Sequence, residues 1–167
     1  MKILKYILLL VLSGQMLNAQ TKTEKRQKEY MATKSLVRSG NFIFEARSAQ
    51  PLAGSSMSLV TNDNYLKISN NEVNAYLPYF GEGRVSAEYL GSGPIILQGE
   101  LENYELSFND KKRMITIKFN AMGKSEWHEV TLVINRNKFT NLVIRSTNRT
   151  RISYRGKIKA NTLSPVE

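Results

Sequence analysis

The chain has 167 residues and a formal net charge of +10, because 24 lysines and arginines face 14 aspartates and glutamates. Its hydrophobic content of 41% and charged content of 23% are typical of an ordinary globular protein, which excludes a disordered chain, a collagen and an integral membrane protein. It contains one histidine and no cysteine, so disulfides and metal sites built from cysteine or several histidines are excluded as well.

The first 19 residues have the layout of a secretory signal peptide. Lys2 and Lys5 precede an apolar run over residues 6–12, and Ala19 offers a small residue for cleavage. The alternative, a membrane anchor, needs about 20 apolar residues, and this run is far shorter. We therefore expect residues 1–19 to be removed and the mature protein to reach the periplasm or the extracellular space, without a transmembrane segment. Since no cysteine follows the leader, a lipoprotein is excluded.

The next segment, residues 20–40, is predicted to be the N-terminal helix of the domain. Thr21 and Glu24 have the spacing of a capping box, and no glycine or proline interrupts the segment before Val37. Gly40 then allows the left-handed conformation that commonly ends a helix. This is the single helix that the sequence predicts.

Residues 41–160 are predicted to form an antiparallel β domain. Apolar and polar residues alternate in short runs, and turns rich in asparagine at residues 70–71, 109–110 and 135–138 separate consecutive runs. About eight short strands with close turns and no helical crossover favour a curved or barrel-like antiparallel sheet with the helix packed against it. The predicted fold class is therefore α+β, mainly β, and residues 161–167 are expected to form a loose C-terminal tail.

Two stretches distinguish this sequence from other β domains. Residues 77–81, Leu-Pro-Tyr-Phe-Gly, predict a strand that ends at the proline and a corner at the glycine. Residues 152–156, Ile-Ser-Tyr-Arg-Gly, belong to the closing strand. In this order, after a basic helix and an aromatic strand, they resemble the exported bacterial family known as domain of unknown function 4251. The resemblance covers residues 25–158 and implies export and a small domain, without an activity or a catalytic residue.

The corner is either scaffold or a binding site. Its two rings, Tyr79 and Phe80, are expected to be buried and structural. In the relatives an arginine directly follows the corner glycine, whereas Glu82 and Gly83 precede Arg84 here. Tyr79, Phe80 and Arg84 are the residues of a candidate loop site.

Catalytic arrangements have little support among the residues. His128 is interpreted as structural, because a Ser-His-Asp arrangement would depend on this single histidine. Glu100 and Glu102 supply the two carboxylates that a glycosidase needs, but an outward, solvated strand face has the same alternation. We therefore predict no catalytic residue, no metal ligand and no cofactor, and we favour a non-catalytic protein over an enzyme.

Basic charge is the strongest surface signal. Residues 130–166 contain no acidic residue, and alternation on the final strand places Arg151, Arg155, Lys157 and Lys159 on one face. This stripe is either an anion-binding surface or a solubilising face that discourages edge-to-edge pairing. The partners expected of a binding surface are anionic lipid headgroups, an acidic glycan or an acidic envelope protein, and export disfavours nucleic acid.

The sequence thus favours an exported, envelope-associated binding domain with a basic surface. One alternative is a carrier of a small apolar ligand, since about eight antiparallel strands can enclose one ligand. The eight tyrosines and six phenylalanines would line such a cavity, or they would fill it as core. A hydrolase acting on envelope glycans is the less favoured alternative.

Overall fold

A computed structural model describes residues 21–61, 63–81 and 93–161. In these ranges the chain forms one helix, α1, which covers residues 21–38, and ten strands. The strands are β1 (Asn41–Pro51), β2 (Met57–Ser58), β3 (Tyr65–Ser69), β4 (Glu72–Leu77), β5 (Ile95–Glu100), β6 (Glu102–Asn109), β7 (Met114–Met122), β8 (Trp127–Asn135), β9 (Phe139–Ser146) and β10 (Ile152–Ala160). No helix in these ranges has the length and apolar character needed to span a bilayer.

The strands form one antiparallel sheet in the order β5-β4-β3-β1-β10-β9-β8-β7-β6, with the short β2 paired to β1. β5 and β6 lie at opposite ends of this order, although only Leu101 separates them in sequence. A bridge between Leu97 of β5 and Gly123, just after β7, brings the two edges together. The sheet is therefore a nearly closed barrel, and the predicted α+β, mainly β fold is confirmed.

The structure contains two strands that the sequence pattern did not predict, β2 and β5. β2 has only two residues, too few to show an alternation. In β5 three consecutive apolar residues begin at Ile95 and are soon followed by Gly99, so no period of two is visible. The predicted hairpin turn at Asn70 and Asn71 is confirmed, since both residues have the positive φ, 52° and 67°, that such turns require.

The inward side chains of the strands fill the barrel. Phe42, Phe44, Leu132, Ile144 and Tyr154 have no exposed surface and belong to one hydrophobic cluster. Burying side chains of this size stabilises the fold by roughly 1.5–3 kcal/mol each. The aromatic rings that point inward therefore act as core rather than as the lining of a cavity.

Helix α1 closes one end of the barrel. Tyr30, Thr33 and Val37 recur at the spacing of one helix face, and all three are buried. The Tyr30 hydroxyl donates to Asp110 in the β6–β7 turn, and the Thr33 hydroxyl donates to the main-chain oxygen of Arg136 in the β8–β9 turn, both at 2.6 Å. This is the helix end of the barrel. The opposite end, which holds the β7–β8 and β9–β10 connections, is the distal end.

β1 and β10 leave no space for a side chain at Gly156. This glycine pairs with Ala46, next to a bulge in which Arg47 is an extra residue of β1. A Cβ atom at position 156 would overlap the main-chain carbonyl of Glu45. A side chain at this position would therefore push the two strands apart, and the register of the barrel depends on glycine here.

Candidate functional site

The final strand carries the predicted row of cations. Arg155, Lys157 and Lys159 are exposed, whereas the residues between them are buried. Arg151, immediately before the strand, is exposed too. The structure thus places all four predicted residues on the outer face of the barrel.

The four cations differ in their ionic partners. Lys159 forms an ion pair with Glu45 of β1. In the described ranges, no ion pair involves Arg151, Arg155 or Lys157. Glu45 also lies opposite Lys157 in the β1–β10 register, so it reduces the positive potential at that end. The stripe is therefore strongest between Arg151 and Lys157.

Arg47 adds a fifth cation to this surface. It is the extra residue of the β1 bulge, and its neighbour Ser48 lies opposite Arg155. Arg47 is exposed. Sequence analysis missed it because β1 and β10 come from the two ends of the domain, and no local pattern reveals that they pair. Arg47, Arg151, Arg155 and Lys157 are together named the basic face.

A second polar group is buried at the distal end. The Glu126 carboxylate accepts hydrogen bonds from Arg149 Nε at 2.5 Å and from the main-chain nitrogen of Asn148 at 3.2 Å. Arg149 also donates to the main-chain oxygen of Gly93 at 2.5 Å, and its guanidinium lies 5.1 Å from the centre of the Tyr79 ring. The side chains of Arg149 and Glu126 are only 12% and 4% exposed. Each therefore depends on the other to compensate a buried charge.

The corner after β4 contributes to the same end. Tyr79 is buried and its hydroxyl donates to a main-chain oxygen of the β9–β10 connection at 3.1 Å, while the carbonyl of Pro78 accepts from the Tyr154 hydroxyl at 2.8 Å. Phe80 is 37% exposed. The expectation of two buried rings is correct for Tyr79 and wrong for Phe80, because neighbouring residues of an extended chain point to opposite sides. Arg84 lies outside the described residues.

His128 lies beside this cluster. Its Nδ1 hydrogen-bonds with Ser146 Oγ at 2.8 Å, and its Nε2 lies 4.0 Å from Glu126 Oε1. A catalytic triad needs a carboxylate hydrogen-bonded to the imidazole, and 4.0 Å is too long for that bond. Burial, opposed by Glu126, lowers the pKa of His128 below its usual value. With 2% exposure, the neutral ring fits the structural role that the sequence indicated.

Glu100 and Glu102 do not face each other across a cleft. Glu100 lies opposite Glu72 on β4, and Glu102 lies opposite Asn120 on β7. They diverge because the chain passes at Leu101 from one edge of the sheet to the other. Both are exposed, as a solvated face requires. Among the residues that the structure describes, no group of three histidine or acidic side chains is placed to hold a metal ion.

Comparison with known proteins gives one family and one fold. The sequence model of the family described as "Domain of unknown function (DUF4251)" matches residues 24–158. Among solved structures, the chain is similar to the crystal structure of a DUF4251 family protein from Bacteroides eggerthii DSM 20697, with a TM-score of 0.62. The two sequences are 16% identical, and the match covers 81% of this chain and 90% of that chain, so the likeness concerns the fold. The comparison with curated proteins gives no match.

Proposed function

Because the chain belongs to the DUF4251 family, which is described only as a domain of unknown function, we propose its function from its own surface. The protein is an exported, non-catalytic binding domain of the bacterial envelope, and its basic face holds an acidic glycan. Export rests on the leader in residues 1–19, which lies outside the described residues.

The observation that carries the proposal is the row of cations without acidic partners. Arg155 and Lys157 point outward from one strand, where alternate residues are about 7 Å apart, and Arg151 extends the same row. Arg47 adds a charge from the neighbouring strand. A linear polyanion presents its charges at repeated short intervals, so it can contact several of these cations at once. Each contact adds to the attraction.

The shape of the surface favours a glycan over the other anionic partners. β1 and β10 lie side by side on the outside of a barrel, and Arg47 and Arg151 each line a depression there. A flat bilayer would touch only part of such an uneven surface, whereas a flexible chain follows it. The neighbouring Glu129 and Arg145 neutralise each other at 3.4 Å, which confines the unpaired positive charge to a strip.

The alternative functions have less support. An apolar-ligand carrier needs an empty interior, but the inward rings such as Phe42, Phe44 and Tyr154 are packed into one cluster. A hydrolase needs an acid and a base that converge on one cleft, but His128 is buried and Glu100 and Glu102 lie at opposite edges of the sheet order. The binding function requires only the exposed face.

The test is binding of the mature protein to polygalacturonate, an acidic polysaccharide, measured by biolayer interferometry with neutral dextran as the reference. The triple variant Arg151→Ser, Arg155→Ser, Lys157→Ser is expected to bind at least about tenfold more weakly, because it loses three adjacent cations. Its thermal unfolding is expected to be nearly unchanged, since all three side chains are exposed.

The matched control removes the same charge elsewhere. Lys111, Lys112 and Lys124 are exposed in the β6–β7 and β7–β8 turns, and their replacement by serine is expected to change binding by less than about twofold. Equal losses in the two triple variants would show that net charge alone drives adsorption and would refute the basic face. Binding to phosphatidylglycerol vesicles without binding to polygalacturonate would refute the glycan and point to lipid.

A further inference from the structure

A groove lies on the outer face of the barrel beyond the basic face, where β1, β3, β4 and β5 run side by side. It has a volume of about 880 Å³, within the range of small-ligand sites. Its lining includes Glu45, Asp63, Tyr65, Lys67, Asn74 and Gln98, and these six residues define the outer groove. Glu45, which forms an ion pair with Lys159, lies where the outer groove meets the basic face, since it also lines a depression that contains Arg47.

The floor of the outer groove is a row of polar side chains across the sheet. Ile43, Lys67, Asn74 and Gln98 are consecutive partners in the registers of β1, β3, β4 and β5. Adjacent strands are about 4.8 Å apart, so the row spans about 14 Å. An ammonium group and two amides thus stand side by side, and together they donate and accept hydrogen bonds.

One side of the outer groove carries an aromatic ring. Tyr65 belongs to the lining and is 37% exposed. The Tyr65 hydroxyl donates to Asn74 Oδ1 at 2.8 Å. This bond fixes the ring beside the floor and directs the amide of Asn74, whose nitrogen has no hydrogen-bond partner among the described residues. A rigid, half-exposed ring gives a flat apolar surface at low entropic cost.

The charge of the outer groove differs from that of the whole chain. Glu45, Asp63 and Glu72 contribute three carboxylates to its lining, against Lys67 in the lining and Lys159, which forms an ion pair with Glu45 at its edge. In a chain of net charge +10 this excess of one carboxylate disfavours polyanions at the groove, while its carboxylates accept hydrogen bonds from hydroxyl groups. A ligand for this site is therefore rich in hydroxyls, carries no negative charge and has one flat apolar side.

From this combination we infer that the outer groove binds a neutral oligosaccharide. A pyranose ring stacks on Tyr65, its hydroxyls bond with Asn74, Gln98 and Lys67, and the carboxylates take the remaining donors at the rim. A peptide added as an extra strand does not fit here, because β3 and β4 are each paired on both sides and offer no free edge. The outer groove and the basic face differ in their residues and in their expected ligands, so each binding function can be tested without the other.

The experiment is isothermal titration calorimetry of the mature protein with two neutral β-1,4-linked probes, cellotetraose and chitotetraose. At least one is expected to bind with a micromolar to millimolar Kd. Tyr65→Ala and Gln98→Ala are each expected to weaken that binding at least about tenfold, through loss of the stacking surface and of floor hydrogen bonds respectively. Tyr65→Phe keeps the ring and loses the bond to Asn74, so its Kd is expected to lie between those of the native chain and Tyr65→Ala.

Phe139→Ala is the matched control, since Phe139 is an aromatic residue of equal exposure, 38%, on β9, and it should leave Kd unchanged. Failure of both tetrasaccharides to bind at millimolar concentration would overturn the inference, and so would unaltered binding by Tyr65→Ala with a native melting curve. The basic-face triple variant should bind the tetrasaccharide normally, and Tyr65→Ala should bind polygalacturonate normally. Failure of one proposal is thereby distinguishable from failure of the other.

Discussion

The two ends of the barrel each contain an ion pair, but water reaches them differently. At the helix end, Lys34 lies 2.8 Å from Asp110, whose side chain is 68% exposed. At the distal end, Arg149 lies 2.5 Å from Glu126, whose side chain is 4% exposed. The two carboxylates therefore differ chiefly in their exposure to water.

This difference in exposure determines how much each carboxylate depends on its hydrogen-bond donors. Hydrogen bonds from Lys34 and then from Tyr30 lower the pKa of Asp110, yet water can replace both donors if they are removed. Glu126 has no such substitute, because its carboxylate is enclosed by Arg149 and the β9–β10 connection. We therefore expect substitutions at the distal end to cost much more than equivalent substitutions at the helix end.

The largest effect is expected from Arg149→Met, which leaves the Glu126 charge buried without its partner. The free energy of unfolding should fall by about 3–5 kcal/mol, measured by urea denaturation. Lys34→Met at the helix end is the matched control, with an expected loss within about 1 kcal/mol. Adding Glu126→Gln to Arg149→Met should restore part of the loss. Similar losses for the two single variants would break the contrast between the ends.

A smaller effect is expected from the removal of single hydroxyl groups. Tyr154→Phe removes the bond to the Pro78 carbonyl from a fully buried side chain, and should cost about 1–3 kcal/mol. Tyr30→Phe removes the bond to Asp110, whose carboxylate stays solvated, and should cost less. Equal losses in urea denaturation, or a larger loss for Tyr30→Phe, would contradict the role assigned to water.

The smallest effect is expected from pH. Because burial lowers the pKa of His128 in the folded chain, the unfolded chain binds a proton first as the pH falls below the ordinary value of 6.5. Stability should therefore decrease on acidification, by at most about 1.4 kcal/mol per pH unit. His128→Gln should remove this contribution, as seen by comparing urea midpoints of the two proteins between about pH 7.5 and pH 5.5. An identical pH slope in both proteins would place the titration elsewhere.

Local sequence patterns predicted much of the fold. The helix was predicted from the spacing of Thr21 and Glu24 and from the lack of glycine and proline before Val37, and the asparagine turn at residues 70–71 follows from its tolerance of positive φ. β5 was missed because three consecutive apolar residues from Ile95 and the nearby Gly99 hide the period of two. Local sequence patterns therefore predict the geometry of a single helix, strand or turn.

The candidate sites were less accessible to sequence analysis. The outward row of β10 was predicted, because alternation alone determines it. Strand pairing determines the position of the other groups, which are Arg47, the Glu126–Arg149 pair and the row from Lys67 to Gln98. Phe80 illustrates the same limit, since its type suggested burial and its position after Tyr79 placed it outside. Strand pairing is a property of the whole chain, and single runs of residues do not contain it.

The pairing of β1 with β10 also has a consequence for how the molecule forms. These two strands lie in the middle of the sheet order, yet they come from opposite ends of the domain. β1 lies between β3 and β10, so it cannot pair on both of its edges until β10 has left the ribosome. Contacts between residues so distant in sequence form slowly. A nascent chain therefore holds an incomplete sheet throughout its synthesis.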